Sequence, residues 1–129
     1  MRLLILAHGG SWELRYQVSA LAATAAARGD RVDVALFFAA LEAWAGGGWD
    51  RLDPGPHVDP ERLAGLDFPP LSSLIESARA TGRLRLFACS ASTRVLGLGP
   101  PEVQARVDVL CGWQTFARLI EEADRVVTL

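Results

Sequence analysis

Apolar and polar positions along this chain follow two alternating rhythms. "RLLILA" (Arg2–Ala7) is a continuous apolar run, the pattern of a strand buried on both faces. "HGGS" follows as a loop. Leu14, Val18, Leu21, Ala22 and Ala25 then recur at helical spacing, and Arg28-Gly29 supplies the stop, since glycine accepts the left-handed cap position. "RVDVALFF" (Arg31–Phe38) reads as a second strand and "AALEAWA" as a short helix. Gly46–Pro60 carries three consecutive glycines, three prolines and several aspartates, which no regular element tolerates. A loop of that length in a compact domain is typically a lid, a binding loop or an oligomer contact.

Leu71, Leu74, Ile75 and Ala78 predict a second long helix, closed by Gly82, and "RLRLFA" a third strand. A turn at Gly97–Pro101 leads to one helical turn over Glu102–Ala105. "RVDVLC" is a fourth strand, Phe116, Leu119, Ile120 and Ala123 mark a last helix, and "RVVTL" closes the chain as a fifth strand. Strands alternating with helices, the strands apolar throughout, argue for a parallel sheet with helices on both faces. No internal repeat and no domain boundary is visible, so residues 1–129 are expected to form one α/β domain.

Composition adds exclusions. Half of the residues are hydrophobic, 22% are charged, and the net charge is −2, which is globular composition and not that of a disordered chain. No basic run exists to neutralise phosphates, so no nucleic-acid or anionic-membrane partner is expected. All 13 basic residues are arginine, which removes Schiff-base chemistry and the P-loop lysine. No stretch approaches the length of a membrane span, and Leu3–Ala7 is short for the core of a secretory signal. Two cysteines do not make a disulfide framework. The expectation is a cytoplasmic protein with reduced thiols.

In a parallel sheet the carboxyl ends of all strands share one edge, where ligands bind. His8, followed by Gly9 and Gly10, comes after the first strand. Cys89 ends the third and Cys111 the fourth. Ser90, Ser92, Thr93 and Arg94 follow Cys89 at once. Backbone N–H groups, hydroxyls and a guanidinium in that position stabilise a thiolate, which is the reactive form. Cysteine is also among the most buried residue types, so a packing role for Cys89 stands beside the reactive one, and for Cys111 packing leads over a resolving role. His57 with Asp53 and Asp59 matches no strong metal spacing. Trp44 and Trp49 mark a partner surface if exposed and pin the loop if buried.

"RLRLFACSASTRVLGL" and "VDVLCGWQTFARLIEEADRVVTL" resemble the DsrE/DsrF-like family of small sulfur-relay proteins. There a strand ends in a cysteine, small or hydroxyl residues and a hydrophobic glycine turn follow, and a later glycine opens a helix into a final "A-D-x-V" strand. Cys89, Val95–Leu98, Gly112 and Ala123–Leu129 fit this pattern; the Gly46–Pro60 loop and Cys111 depart from it. The resemblance implies a three-layer α/β/α fold with a mostly parallel five-stranded sheet, close to flavodoxin. It implies a homo-oligomer (dimer, trimer or hexamer), a protein sulfur donor or acceptor, and no metal or organic cofactor. Cys89 would carry sulfane sulfur as a persulfide, in a pocket shaped by His8, Gly9, Gly10, Ser90, Ser92, Thr93, Arg94 and Cys111. The competing expectation is a non-catalytic subunit or small-ligand-binding module in which Cys89 is structural.

Overall fold

The computed structural model describes all residues, Met1–Leu129. The five strands are β1 (Arg2–Ala7), β2 (Arg31–Leu36), β3 (Leu84–Cys89), β4 (Val109–Cys111) and β5 (Arg125–Thr128). They form one all-parallel sheet in the order β4-β3-β2-β1-β5. The α/β class and the parallel five-stranded sheet are as the apolar runs predict. The order itself differs from the flavodoxin order 2-1-3-4-5: the chain winds outward from β1 to β4 and then returns across the sheet to β5.

The helices are α1 (Trp12–Ala27), α2 (Phe38–Ala45), α3 (Pro60–Ala64), α4 (Leu71–Ala80), α5 (Ser90–Val95), α6 (Pro100–Gln104) and α7 (Trp113–Glu122). They are divided unequally between the two faces. Leu3, Ile5 and Ala7 of β1, with Val32, Val34, Leu36, Leu84, Leu86 and Ala88, meet α1, α2, α4 and α6 in the larger core. The alternate residues Leu4, Ala35, Phe87 and Cys89 meet only α7, through Phe116 and Leu119. Each large apolar side chain buried there contributes about 1.5–3 kcal/mol, so one amphipathic helix stabilises the whole second face.

Several boundaries shift from the sequence expectation. Phe37 and Phe38 leave the second strand, and α2 starts at Phe38, whose φ is 41°. This is a left-handed conformation that costs a bulky residue about 1–2 kcal/mol. The fourth strand shrinks to three residues because Asp108 turns inward. Its Oδ2 accepts the Leu86 N–H at 2.7 Å while its own N–H donates to the Leu86 carbonyl at 2.9 Å. The helix α3 lies just past the Gly/Pro loop, where Asp59 caps it by accepting the Glu61 N–H at 3.0 Å.

The Gly46–Pro60 loop is pinned, not free. Arg15 lies on the buried stripe of α1 and is 0% exposed. Its guanidinium donates to the carbonyls of Gly10, Gly48 and Arg51, each at 3.0 Å, and to that of Trp49, and it pairs with Asp53. Trp49 Nε1 donates to Ser19 Oγ at 2.9 Å, and Trp44 Nε1 to the Arg106 carbonyl at 2.8 Å. The two buried indoles meet edge to face, 5.5 Å between centroids. Glu13 accepts the Gly55 N–H on both carboxylate oxygens, at 2.8 and 3.0 Å. The tryptophans therefore hold the loop against the domain instead of marking a partner surface.

Candidate functional site

The carboxyl edge carries three of the sequence candidates, with Phe37 among them, in strand order. Cys111 ends β4, Cys89 ends β3, Phe37 follows β2, and His8 follows β1. Cys89 and Cys111 are register partners. Partners in a parallel ladder project to the same face, and both thiols join the cluster packed under α7. Adjacent strands run about 4.8 Å apart, so the two thiols are immediate neighbours. No disulfide joins them.

The backbone turns directly at Cys89. It is the N-cap of α5, and its Sγ accepts the Ser92 N–H at 3.4 Å. Thr93 Oγ1 donates back to the Cys89 carbonyl at 2.8 Å. Short side chains at 90–93 allow this tight reversal, and a sulfur at an N-cap does the work usually given to a hydroxyl or carboxylate. Ser92 is buried, and its Oγ has no partner. Ser90 lies near the start of the last helix: a Cβ built at Gly112 would sit 3.7 Å from Ser90 Oγ. Cys89 itself is only 2% exposed; Cys111 is half-buried. Burial pushes the Cys111 thiol up, helped by the neighbouring Cys89, while Thr115 and the Arg118 guanidinium pull it down.

Two expected members of the pocket lie elsewhere. Arg94 projects from the outer side of α5 into a shallow hollow with Ala91 and Val95 and makes no hydrogen bond or ion pair with Cys89. His8 follows β1, two strand positions from β3, about 10 Å between backbones at the usual spacing, and makes no hydrogen bond with Cys89. The cause is the strand order, which inserts β2 between them. Gly9 and Gly10 serve close packing. A Cβ on Gly10 would lie 2.7 Å from Ala39 Cβ, and one on Gly9 would overlap Leu14. Asp53 is engaged by Arg15 and Asp59 caps α3, so neither carboxylate is free to join His57, and no cluster of metal-ligating side chains forms.

A feature absent from the sequence reading adjoins the thiols. Leu6, His8, Phe37, Phe38, Trp113 and Thr128 line a hollow of about 330 Å³. Trp113 is 55% exposed and Phe38 47%. Phe37 stacks on Trp113 at 5.4 Å and also packs in the Cys89 cluster. The hollow lies beside β1 and β5, where the winding direction reverses. That switch point is the usual ligand crevice of an open α/β sheet. The signal in sequence was "FF" at the end of a strand run and a tryptophan directly after Gly112, both legible only once the strands are ordered.

Fold and site together define a parallel α/β protein with two adjacent thiols and an aromatic hollow at the carboxyl edge. No family model and no curated protein matches the chain. Among solved structures it is similar to MTH1491 of Methanobacterium thermoautotrophicum, a protein of unknown function. That pair is 13% identical with a TM-score of 0.66, over 99% of this chain and 98% of that one. It is likewise similar to BT1422 of Bacteroides thetaiotaomicron, a conserved protein of unknown function, at 11% identity and a TM-score of 0.66, over 99% and 94% of the two chains. These likenesses establish the shared fold. No helix of the chain is long and apolar enough to cross a membrane.

Proposed function

We propose that this chain is a sulfur carrier of the DsrE/DsrF type, accepting sulfane sulfur on Cys89 as a persulfide and passing it to a partner protein. The observation that carries this reading is the placement of Cys89. It ends a central strand at the carboxyl edge, its Sγ receives a backbone N–H, and a second thiol stands beside it in register. A thiolate there attacks the outer sulfur of a donor persulfide, the donor thiolate leaves, and the same exchange in reverse loads an acceptor. Sulfur reaches Cys89 past Cys111, the more open of the two. The exposed Trp113 and Phe38 offer the donor or acceptor an apolar contact, or the face of a homo-oligomer. The proposed setting is the cytoplasm, where the thiols stay reduced.

The near-complete burial of Cys89 favours a second reading. In it Cys89 is a packing residue and N-cap, and the aromatic hollow at the switch point holds a small ligand or a subunit. One experiment separates the two. The Cys111→Ser chain is incubated with a low-molecular-weight persulfide, desalted and weighed intact, and Cys89 is separately offered an alkylating agent in the folded state. Gain of one sulfur atom, lost when Cys89→Ser is added to that chain, supports the carrier. No gain, with Cys89 inert to alkylation until the chain unfolds, overturns it in favour of the structural reading.

A further inference from the structure

We propose that Cys111 is a second reacting thiol, which attacks the Cys89 persulfide, releases sulfide and leaves a Cys89–Cys111 disulfide. This inference rests on the carrier reading and adds an activity to it: reductive release of the carried sulfur when no acceptor takes it. The two residues are register partners at the last rung of the β3–β4 ladder. Their Cα atoms are therefore about 5 Å apart, inside the roughly 4.4–6.8 Å range that a disulfide spans. Both side chains project to the α7 face and belong to one cluster. The strand β4 has three residues, lies at the edge of the sheet, and ends at Cys111 with Gly112 next. An edge rung followed by glycine can adjust to the disulfide geometry without moving the core.

The step balances. The Cys111 thiolate attacks Sγ of Cys89, the Sγ–S bond of the persulfide breaks, and its outer sulfur leaves with the electron pair as hydrosulfide. The outer sulfur is reduced by two electrons and the two cysteine sulfurs are oxidised by two, so no external oxidant is needed. A dithiol reductant, through thiol–disulfide exchange, must then restore the reduced pair. Burial holds the Cys111 thiol largely protonated near neutrality, which delays resolution and leaves an acceptor time to collect the sulfur first. Release accelerates as pH rises, about tenfold per unit while the thiolate remains the minor form.

The test loads wild type, Cys111→Ser, Cys111→Ala and Cys89→Ser with cysteine persulfide, removes the small molecules, and follows intact mass and released sulfide. Thermal melts identify any variant that fails to fold. Wild type is expected to end two hydrogens lighter than the reduced chain, with one sulfide released per chain. Both Cys111 variants should hold one extra sulfur and release sulfide at least about tenfold more slowly. If wild type keeps its extra sulfur as long as the Cys111 variants do, the resolving role is overturned while the carrier reading stands. If folded Cys111→Ser or Cys111→Ala gains no sulfur at all, the carrier reading fails and takes this inference with it.

Discussion

Replacing Arg15 by alanine is expected to cost about 2.5–4 kcal/mol, working from two competing responses. Four backbone carbonyls lose a charged donor when the guanidinium is removed. If the Gly46–Pro60 loop stays in place, those carbonyls remain dry at about 1–3 kcal/mol each. If the loop lifts, water satisfies them, but Trp49 loses its burial, worth about 1.5–3 kcal/mol, and its bond to Ser19, worth about 1 kcal/mol. The chain takes the cheaper course, so the loop detaches and the cost stops near the second sum. The Asp53 pair adds little, because that carboxylate is half exposed and screened. Urea unfolding gives the total. Trypsin cleavage at Arg51 and a red shift of tryptophan emission report the loop specifically. Lysine at position 15 should recover less than half, since one ammonium cannot span the acceptors that a planar fork reaches. A loss under about 1 kcal/mol, or a full loss with Arg51 still protected, would refute the reasoning.

Three further outcomes follow from other contacts. The Gly55 N–H holds the Glu13 carboxyl below its ordinary value of 4.5; a depressed folded-state value stabilises above the unfolded one and is lost as pH falls through the folded one. Acidification below about pH 4.5 should therefore loosen the loop in wild type, whereas Glu13→Gln should show a flatter acid limb in stability-against-pH curves. Gly10→Ala should cost about 1–3 kcal/mol by overpacking against Ala39, read from the denaturation midpoint; a neutral result would mean the loop after β1 and the start of α2 part freely. At Phe38 the usual helix preference should invert, with Phe38→Gly more stable than Phe38→Ala by about 1 kcal/mol because glycine relieves the positive φ; thermal melts showing alanine ahead would remove the strain argument.

The strands were legible because a sheet covered on both faces demands unbroken apolar runs. "RLLILA" and "RVDVAL" became β1 and β2 over nearly the expected residues. The helical stripe of α1 was legible too, and it held a signal that apolar counting passes over: Arg15 occupies a buried position between Trp12 and Val18. A charge there announces carbonyl acceptors from elsewhere in the chain. What local sequence does not carry is strand order. The adjacency of Cys89 and Cys111, the separation of His8 from both, and the aromatic hollow all depend on how the crossovers run. The same holds for charge. Arg2, Arg31, Arg83, Arg85 and Arg118 converge on one hollow with Asp33 and Glu122, though no basic run exists in the sequence.

The return of the chain to β5 has a consequence for biosynthesis. Residues 1–112 contain four strands and every helix of the first face, so most of the domain can assemble as soon as they leave the ribosome. Until residues 113–129 follow, β1 is an open edge with a continuous apolar sequence, and Leu4 and Phe87 face water. An unpaired strand of that kind is a template for joining other chains. A nascent chain stalled just short of α7 would thus be nearly folded and highly adhesive at once, a state in which a chaperone matters most until α7 and β5 emerge.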